Sequence, residues 1–253
     1  MKAARRLSRR AVRAEQRLFL AEGPQAVREA LGTPGVVRDV FAVASVAPWP
    51  EAEGVPWHVV DDTALASLAE TVHPQGVVAV CTFLDIAIGS LLRSEPVLLA
   101  VCVDVRDPGN AGTVIRCADA AGADGMVLAG HSVDAYNGKT VRATVGSLFH
   151  VPLAIEPDTR SVVRQMRDAG LSVLAADGAG ELDLDDAADD GLLSRPTAWL
   201  FGNEAHGLSD EVAGLADHRV AIPIHGRAES LNMATAAAVC LYASARALRR
   251  GVT

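Results

Sequence analysis

Residues Val97–Val103 form an uninterrupted apolar run between Pro96 and Asp104. A strand with one wet face would alternate polar and apolar side chains. A continuous run instead predicts a strand buried on both faces of a parallel sheet. Strand signals recur at Gly125–Ala129, Val151–Ile155, Leu171–Ala175, Ala198–Phe201 and Val220–Ile224. Between or after them lie helical stretches at Ala111–Ala121, Gly138–Leu148, Arg160–Ala169, Ser209–Ala216 and Leu231–Arg249. This alternation predicts an α/β domain with helices on both faces of its sheet. Ligands of such sheets bind beyond the carboxyl ends of the strands. Aromatics are only 4% of a 50% hydrophobic chain, so Ala, Val and Leu must build the core.

The first third alternates as well. Lys2–Glu15 reads as a helix, Phe19–Ala21 as a short strand, and Pro24–Leu31 as a helix with proline at its start. Strands are expected at Val36–Val46, Val55–Val60 and Gly76–Phe83, with a helix Asp61–Glu70 capped by Asp61 or Asp62. Ile86–Pro96 breaks the pattern and reads as a linker between a domain at 1–85 and another at 97–253. The stretch Glu181–Asp190, with six acidic residues in ten, reads as a solvated loop or cap.

The net charge of −8 argues against a general nucleic-acid coating protein, and no DNA partner is expected. The charge is uneven, however. Lys2, Arg5, Arg6, Arg9, Arg10, Arg13, Arg17 and Arg28 face only Glu15 and Glu22 in the first 28 residues. That asymmetry fits an anion-binding face, or equally a solvated amphipathic helix with Leu7 and Val12 inward. Cys81, Cys102, Cys117 and Cys240 are scattered, with neither disulfide nor metal-ligand spacing, which fits a reducing cytoplasm and no metal. No apolar stretch reaches the roughly 20 residues a membrane span needs, so no membrane partner is expected.

Three segments after predicted strands carry chemistry. In the first, Asp104 to Arg116, Pro108 and Gly109 make a turn, Asn110 can cap the next helix, and Arg116 lies on the side of Gly109, Gly112 and Thr113. An arginine beside a glycine-rich turn and a helix N-terminus is placed to grip a phosphate, unless it is simply a surface arginine on a βα turn. In the second, Leu200 to Leu208, Gly202 and Gly207 flank Asn203, Glu204 and His206. Glu204 can act as a base, an anchor for Arg116 or a tether for the loop; His206 has no evident orienting carboxylate. In the third, Ile222 to Ala234, Ser230 and Asn232 offer hydrogen-bonding groups where the last helix begins, which also suits simple capping.

No GxxxxGK[ST], GxSxG or HExxH is present. Asp177-Gly178-Ala179-Gly180 approaches a dinucleotide fingerprint but lacks its third glycine, and an acidic run follows.

Taken in order, NxGxxxR (Asn110, Gly112, Arg116), FGNExxGL (Phe201 to Leu208) and IPxxGxxxSLN (Ile222 to Asn232) resemble the SpoU/TrmH family of RNA ribose methyltransferases, part of the SPOUT superfamily. Lys139 to Gly146 is similar to the family segment between the first two motifs, with Thr144 and Val145 where serine and a bulkier residue are common. Arg17 to Gly23 and Pro74-Gln75-Gly76 are similar to the small L30e-like substrate-binding domain, related to a ribosomal-protein fold, of ribosomal-RNA members.

The resemblance implies a small L30e-like α/β domain, then a SPOUT α/β domain with a C-terminal trefoil knot. It implies S-adenosylmethionine as cofactor, held by Leu200, Gly202, Asn203, Ile222, Ser230, Leu231, Asn232 and Ala234. It implies methyl transfer to a ribose 2′-hydroxyl of a structured RNA, with ribosomal RNA favoured over transfer RNA. A non-catalytic RNA-binding protein of the same fold is the competing reading. The residues matching the catalytic set are Arg116, Asn110, Glu204, Ser230 and Asn232, with Asn110 and Glu204 expected to hold Arg116. Family members pair as homodimers through the knotted domain. The C-terminal helix fits that, since Ala234, Ala238, Leu241, Ala245 and Leu248 form one apolar stripe beside Met233, Ala237 and Cys240.

Overall fold

The computed structural model describes residues 1–250, which cluster into two compact units. One comprises Met1–Leu84 together with Asp134–His150; the other comprises Asp85–Val133 together with the chain from Val151 onward.

The first unit is built on a four-stranded sheet of β1 (Leu18–Glu22), β2 (Val37–Val43), β3 (Trp57–Val60) and β4 (Val77–Thr82), ordered β1-β4-β2-β3. β4 runs antiparallel to both neighbours, and β3 lies parallel to β2. One core joins Leu7, Val12, Leu20, Phe41, Leu65 and Val78. The single helix expected over Lys2–Glu15 is interrupted. Short helices at Lys2–Arg5 and Arg10–Gln16 flank a 3-10 turn at Arg6–Ser8, and Arg9 is extended. The break has a physical cause in Arg13, which is buried. Its guanidinium donates to the carbonyls of Leu7 (2.8 Å) and Ser8 (2.9 Å), which a continuous helix would have used itself. It also pairs with Asp134 Oδ2 at 2.7 Å.

The central segment Asp134–His150 completes this unit. Tyr136 stacks on Phe83 with ring centroids 3.8 Å apart and on Phe19 at 4.9 Å, and its hydroxyl accepts from the Leu84 N–H. Arg142 pairs with Glu22 at 3.2 Å. The helix expected over Gly138–Leu148 stops at Thr144, because Val145 and Gly146 both take positive φ.

The second unit carries a seven-stranded, wholly parallel sheet. Its strands are β5 (Leu98–Val103), β6 (Gly125–Ala129), β7 (Leu153–Glu156), β8 (Ser172–Ala176), β9 (Leu182–Asp183), β10 (Thr197–Phe201) and β11 (His218–Ala221). Their order is β7-β6-β5-β10-β8-β11-β9. Every residue of β5, β6 and β10 is buried, as continuous apolar runs in a doubly covered sheet require. Helix Met233–Arg250 packs on helix Pro108–Ala121 and on β10. The buried Ser244 hydroxyl accepts from Trp199 Nε1 at 2.8 Å and so satisfies the indole inside the core.

Three expectations are corrected here. Ile86–Pro96 contains a short helix, Ile88–Leu92, because Ile88 and Leu91 find the core. Glu181–Asp190 is neither loop nor simple cap. Leu182–Asp183 adds an edge strand, and Asp183 then caps a helix, Leu184–Asp189, that buries Leu184 and Ala187. The apolar stripe of the last helix is largely covered by its own chain, with Ala234, Leu241 and Ala245 buried alongside Met233, Ala237 and Cys240. The apolar side chains left facing outward on that helix are Val239 and Tyr242. No helix among the described residues is long and apolar enough to cross a membrane.

Candidate active site

The three segments converge at the carboxyl ends of β5, β10 and β11. After β5 the chain turns at Asp104, which holds a left-handed backbone with φ 53°. Such a conformation costs a non-glycine residue about 1 kcal/mol, and short polar side chains that bond locally bear it best. Asp104 does so: its Oδ1 accepts from the His131 N–H at 2.7 Å, beyond the end of β6. Ser132 fixes the same corner, its hydroxyl bridging the Val105 N–H and the Ala129 carbonyl. The following helix begins at Pro108, not Ala111. Its cap is Asp107, which accepts from the Asn110 N–H at 2.8 Å and so leaves the Asn110 side chain free for other work.

The β10 loop is a closed turn. Asn203 and Gly207 exchange backbone hydrogen bonds at 2.9 and 2.8 Å, and Gly207 has φ 66°. A Cβ on Gly202 would lie 2.2 Å from the Gly207 carbonyl carbon, so only glycine fits there. Asn203 Nδ2 donates to the Asp104 carbonyl at 2.9 Å.

Glu204 is thereby brought to the β5 loop. Its carboxylate accepts from the Arg106 and Asp107 N–H groups (3.2 and 3.1 Å) and from Asn110 Nδ2 (3.2 Å). Partial burial pushes this carboxyl up, but hydrogen bonds from its own N–H, from Arg106, Asn110 and Asp107 outweigh that and hold it below the ordinary glutamate value. Glu204 is thus an ionised acceptor held by three donors of the β5 loop, a geometry that suits an anchor. Asn110 passes the chain on, its Oδ1 accepting from Asn232 Nδ2 at 3.2 Å. Asn232 Oδ1 caps the last helix through the Ala234 and Thr235 N–H groups.

Beside this network lies a cavity of about 300 Å3. Of the residues expected to hold a cofactor, Gly202, Asn203, Ile222, Ser230 and Leu231 line it, as does Glu204. Leu200 and Ala234 are buried in their strand and helix, and Asn232 faces Asn110. Phe201, Val220 and Met233 add apolar wall, and Asp177 adds a carboxylate that the sequence reading set aside with its failed fingerprint. Burial pushes Asp177 up, but the Ala179 N–H and the paired Arg219 guanidinium (2.6 Å) bring it below the usual carboxylate value. The signal was its place directly after β8, at the same sheet end as the recognised loops.

Arg116 departs from expectation. Neither Asn110 nor Glu204 bonds it, and it makes no hydrogen bond or ion pair among the described residues. It is exposed on the helix after Asn110, and so is His206 on its turn. Burial pushes the Cys81, Cys102 and Cys240 thiols up, so none is a ready nucleophile. No cluster of metal-ligating side chains occurs among the described residues.

The chain is similar to known proteins in sequence and in fold. The SpoU rRNA Methylase family matches residues 97–242, and the MRM3-like substrate binding domain matches residues 1–79. The 23S rRNA (guanosine(2553)-2'-O)-methyltransferase RlmP of Bacillus subtilis (strain 168) is 34% identical over 91% of this chain and 89% of its own. The SpoU methyltransferase AviRb from Streptomyces viridochromogenes, solved with its cofactor AdoMet, superposes with a TM-score of 0.84 at 31% identity, covering 97% of this chain and 96% of that one. An AdoMet-bound rRNA methyltransferase from Sinorhizobium meliloti gives 0.82 at 32% identity, covering 98% and 94%. With the motifs converging on one sheet end and the match running through both units, the chain belongs to the SpoU rRNA methylase family.

Proposed function

We propose that this chain transfers a methyl group from S-adenosylmethionine to a ribose 2′-hydroxyl of ribosomal RNA. The observation that carries the reading is the hydrogen-bonded line Glu204–Asn110–Asn232, which joins all three segments at the rim of the cavity. Of the relatives named above, one is named a 23S rRNA 2'-O-methyltransferase and two are methyltransferases solved with AdoMet, which supports both substrate and cofactor.

The cavity fits the cofactor. Phe201, Ile222, Leu231 and Met233 suit an adenine and a thioether chain, and Gly202, where a Cβ would strike the Gly207 backbone, keeps the loop closed beside them. Bound there, the cofactor supplies an electrophilic methyl on a sulfonium. Ser230, exposed at the cavity rim, would contact the nucleotide or the methionine end. A ribose hydroxyl is a weak nucleophile, so its placement dominates the demand on the protein. Arg116 is the group we assign to that task. An exposed guanidinium with all its donors free can clamp the phosphate beside the target ribose and stabilise the oxygen as it loses its proton. It is ill suited to accept that proton itself.

Residues 1–85 would bind the RNA, with phosphates on Lys2, Arg5, Arg6, Arg9 and Arg10. The other three basic residues are engaged elsewhere: Arg13 in its buried pair, Arg17 over Phe83 and Arg28 over Trp49, both at 4.7 Å. The working unit would be a cytoplasmic homodimer, its interface including the outward Val239 and Tyr242. Transfer of tritium from labelled cofactor to ribosomal RNA, followed by nucleoside analysis, tests the reading. Label on a 2′-O-methyl nucleoside is expected, and label on a base would overturn it. Sedimentation at micromolar concentration tests the dimer.

A further inference from the structure

We infer that Asp104 is a positioning residue for methyl transfer, acting through the loops it ties together; this rests on the reading above. Asp104 follows β5 and bonds the ends of two other strands, β6 and β10. Its N–H donates to the Ala129 carbonyl at 3.2 Å, its Oδ1 accepts from His131 N–H at 2.7 Å, and its carbonyl accepts from Asn203 Nδ2 at 2.9 Å. The first two hold the end of β6, and the third holds the β10 loop that carries Glu204.

Its backbone matters as much as its side chain. The left-handed φ of 53° reverses the chain after β5, and the N–H groups two and three residues on, Arg106 and Asp107, both reach the Glu204 carboxylate. Those same residues lead into the helix that displays Asn110 and Arg116. The partner loop is shaped to match, because a Cβ on Gly130 would lie 2.6 Å from Asp104 Oδ1. The site's hydrogen-bonding groups are thus aimed by a residue that does not line the cavity.

Two demands fall on position 104, a tolerance for positive φ and an acceptor oxygen for His131. Asparagine meets both, glycine only the first, alanine neither. The expected order of turnover is therefore wild type, then Asp104→Asn, then Asp104→Gly, then Asp104→Ala. Misplacement of a catalytic loop by about 1 Å costs up to about 100-fold. Asp104→Gly should lose about 10-fold in kcat and Asp104→Ala more, whereas Asp104→Asn should recover most of it. Cofactor affinity by calorimetry and KM for RNA should stay within about 3-fold throughout. Thermal melts identify any variant that fails to fold; the asparagine and glycine variants then decide the question.

Equal kcat in wild type and Asp104→Gly would overturn the proposal. So would a loss in Asp104→Gly that appears equally in cofactor affinity, or one that asparagine does not rescue. If wild type itself transfers no methyl group, the functional reading fails instead, and the two failures are distinguishable.

Discussion

Asn232 donates its side-chain amide to Asn110 Oδ1 at 3.2 Å, across 122 positions of sequence, while Asn110 Nδ2 donates to Glu204. The middle amide therefore uses both its ends, and its orientation is fixed by an acceptor on one side and a donor on the other. Replacing Asn110 by Asp removes the donor and sets a second carboxylate against Glu204. Turnover should fall about 10-fold or more, beyond the loss from Asn110→Ala. Protonation of either carboxyl relieves the repulsion, so the deficit of Asn110→Asp should shrink as pH falls toward the carboxylate range. The deficit of Asn110→Ala should stay constant. Parallel pH–rate profiles check this.

Glu204 leaves its mark on stability. Its folded carboxyl titrates below the ordinary value of 4.5. Its stabilising contribution is therefore fully present above that value and lost as pH falls through the folded pKa. Glu204→Gln lacks this contribution and turns an amide against the Arg106 and Asp107 donors. Melting curves of variant and wild type should differ near neutral pH and converge as pH falls through and below the carboxylate range. A constant gap across that range would refute the role of anchor.

Arg116→Ala should lose turnover on the order of 100-fold while cofactor affinity holds, since the side chain is exposed and bonds nothing within the site. Arg116→Lys should recover only part, because an ammonium cannot make the paired contact a guanidinium makes with phosphate. Single-turnover kinetics with saturating cofactor is the measurement. Full activity of the alanine variant would remove Arg116 from the mechanism.

The basic residues at the start divide into two groups by burial. Changing Arg5, Arg6, Arg9 and Arg10 together to Gln should leave the melting temperature nearly unchanged and flatten the salt dependence of RNA binding. Each lost phosphate contact lowers the log–log slope by about 0.7–0.9. Arg13→Gln should behave the other way round. It strands a carboxylate, Asp134, whose side chain is only 13% exposed, and removal of one partner of such a pair costs about 3 kcal/mol. Filter binding across a salt series and thermal melts separate the two groups.

Much of the catalytic sheet was legible because its signal is local. The apolar run at 97–103 announces a buried parallel strand, and β5 lies within it at Leu98–Val103. The three functional segments were legible by their glycines and polar side chains after strands. What bonds to what was not. Glu204 meets Asn110 and not Arg116, and partners 94 residues apart leave no trace in spacing. Asp104 was passed over because nothing in a sequence marks an aspartate as left-handed. The acidic run at 181–190 misled because charge was read before its spaced apolar residues, Leu184 and Ala187, which bury.

Asp134–His150 leaves the catalytic sheet after β6, supplies Tyr136, Arg142 and the partner of Arg13 to the first unit, and returns to β7. The two units are therefore stitched by three crossings of the chain instead of one. No cut near residue 90 yields two whole pieces: the shorter fragment would lose the ring that covers Phe19 and Phe83, and the longer would keep it with nothing to cover. Exchange of the first unit between relatives requires two insertions made in concert, which makes the pair heritable as one object.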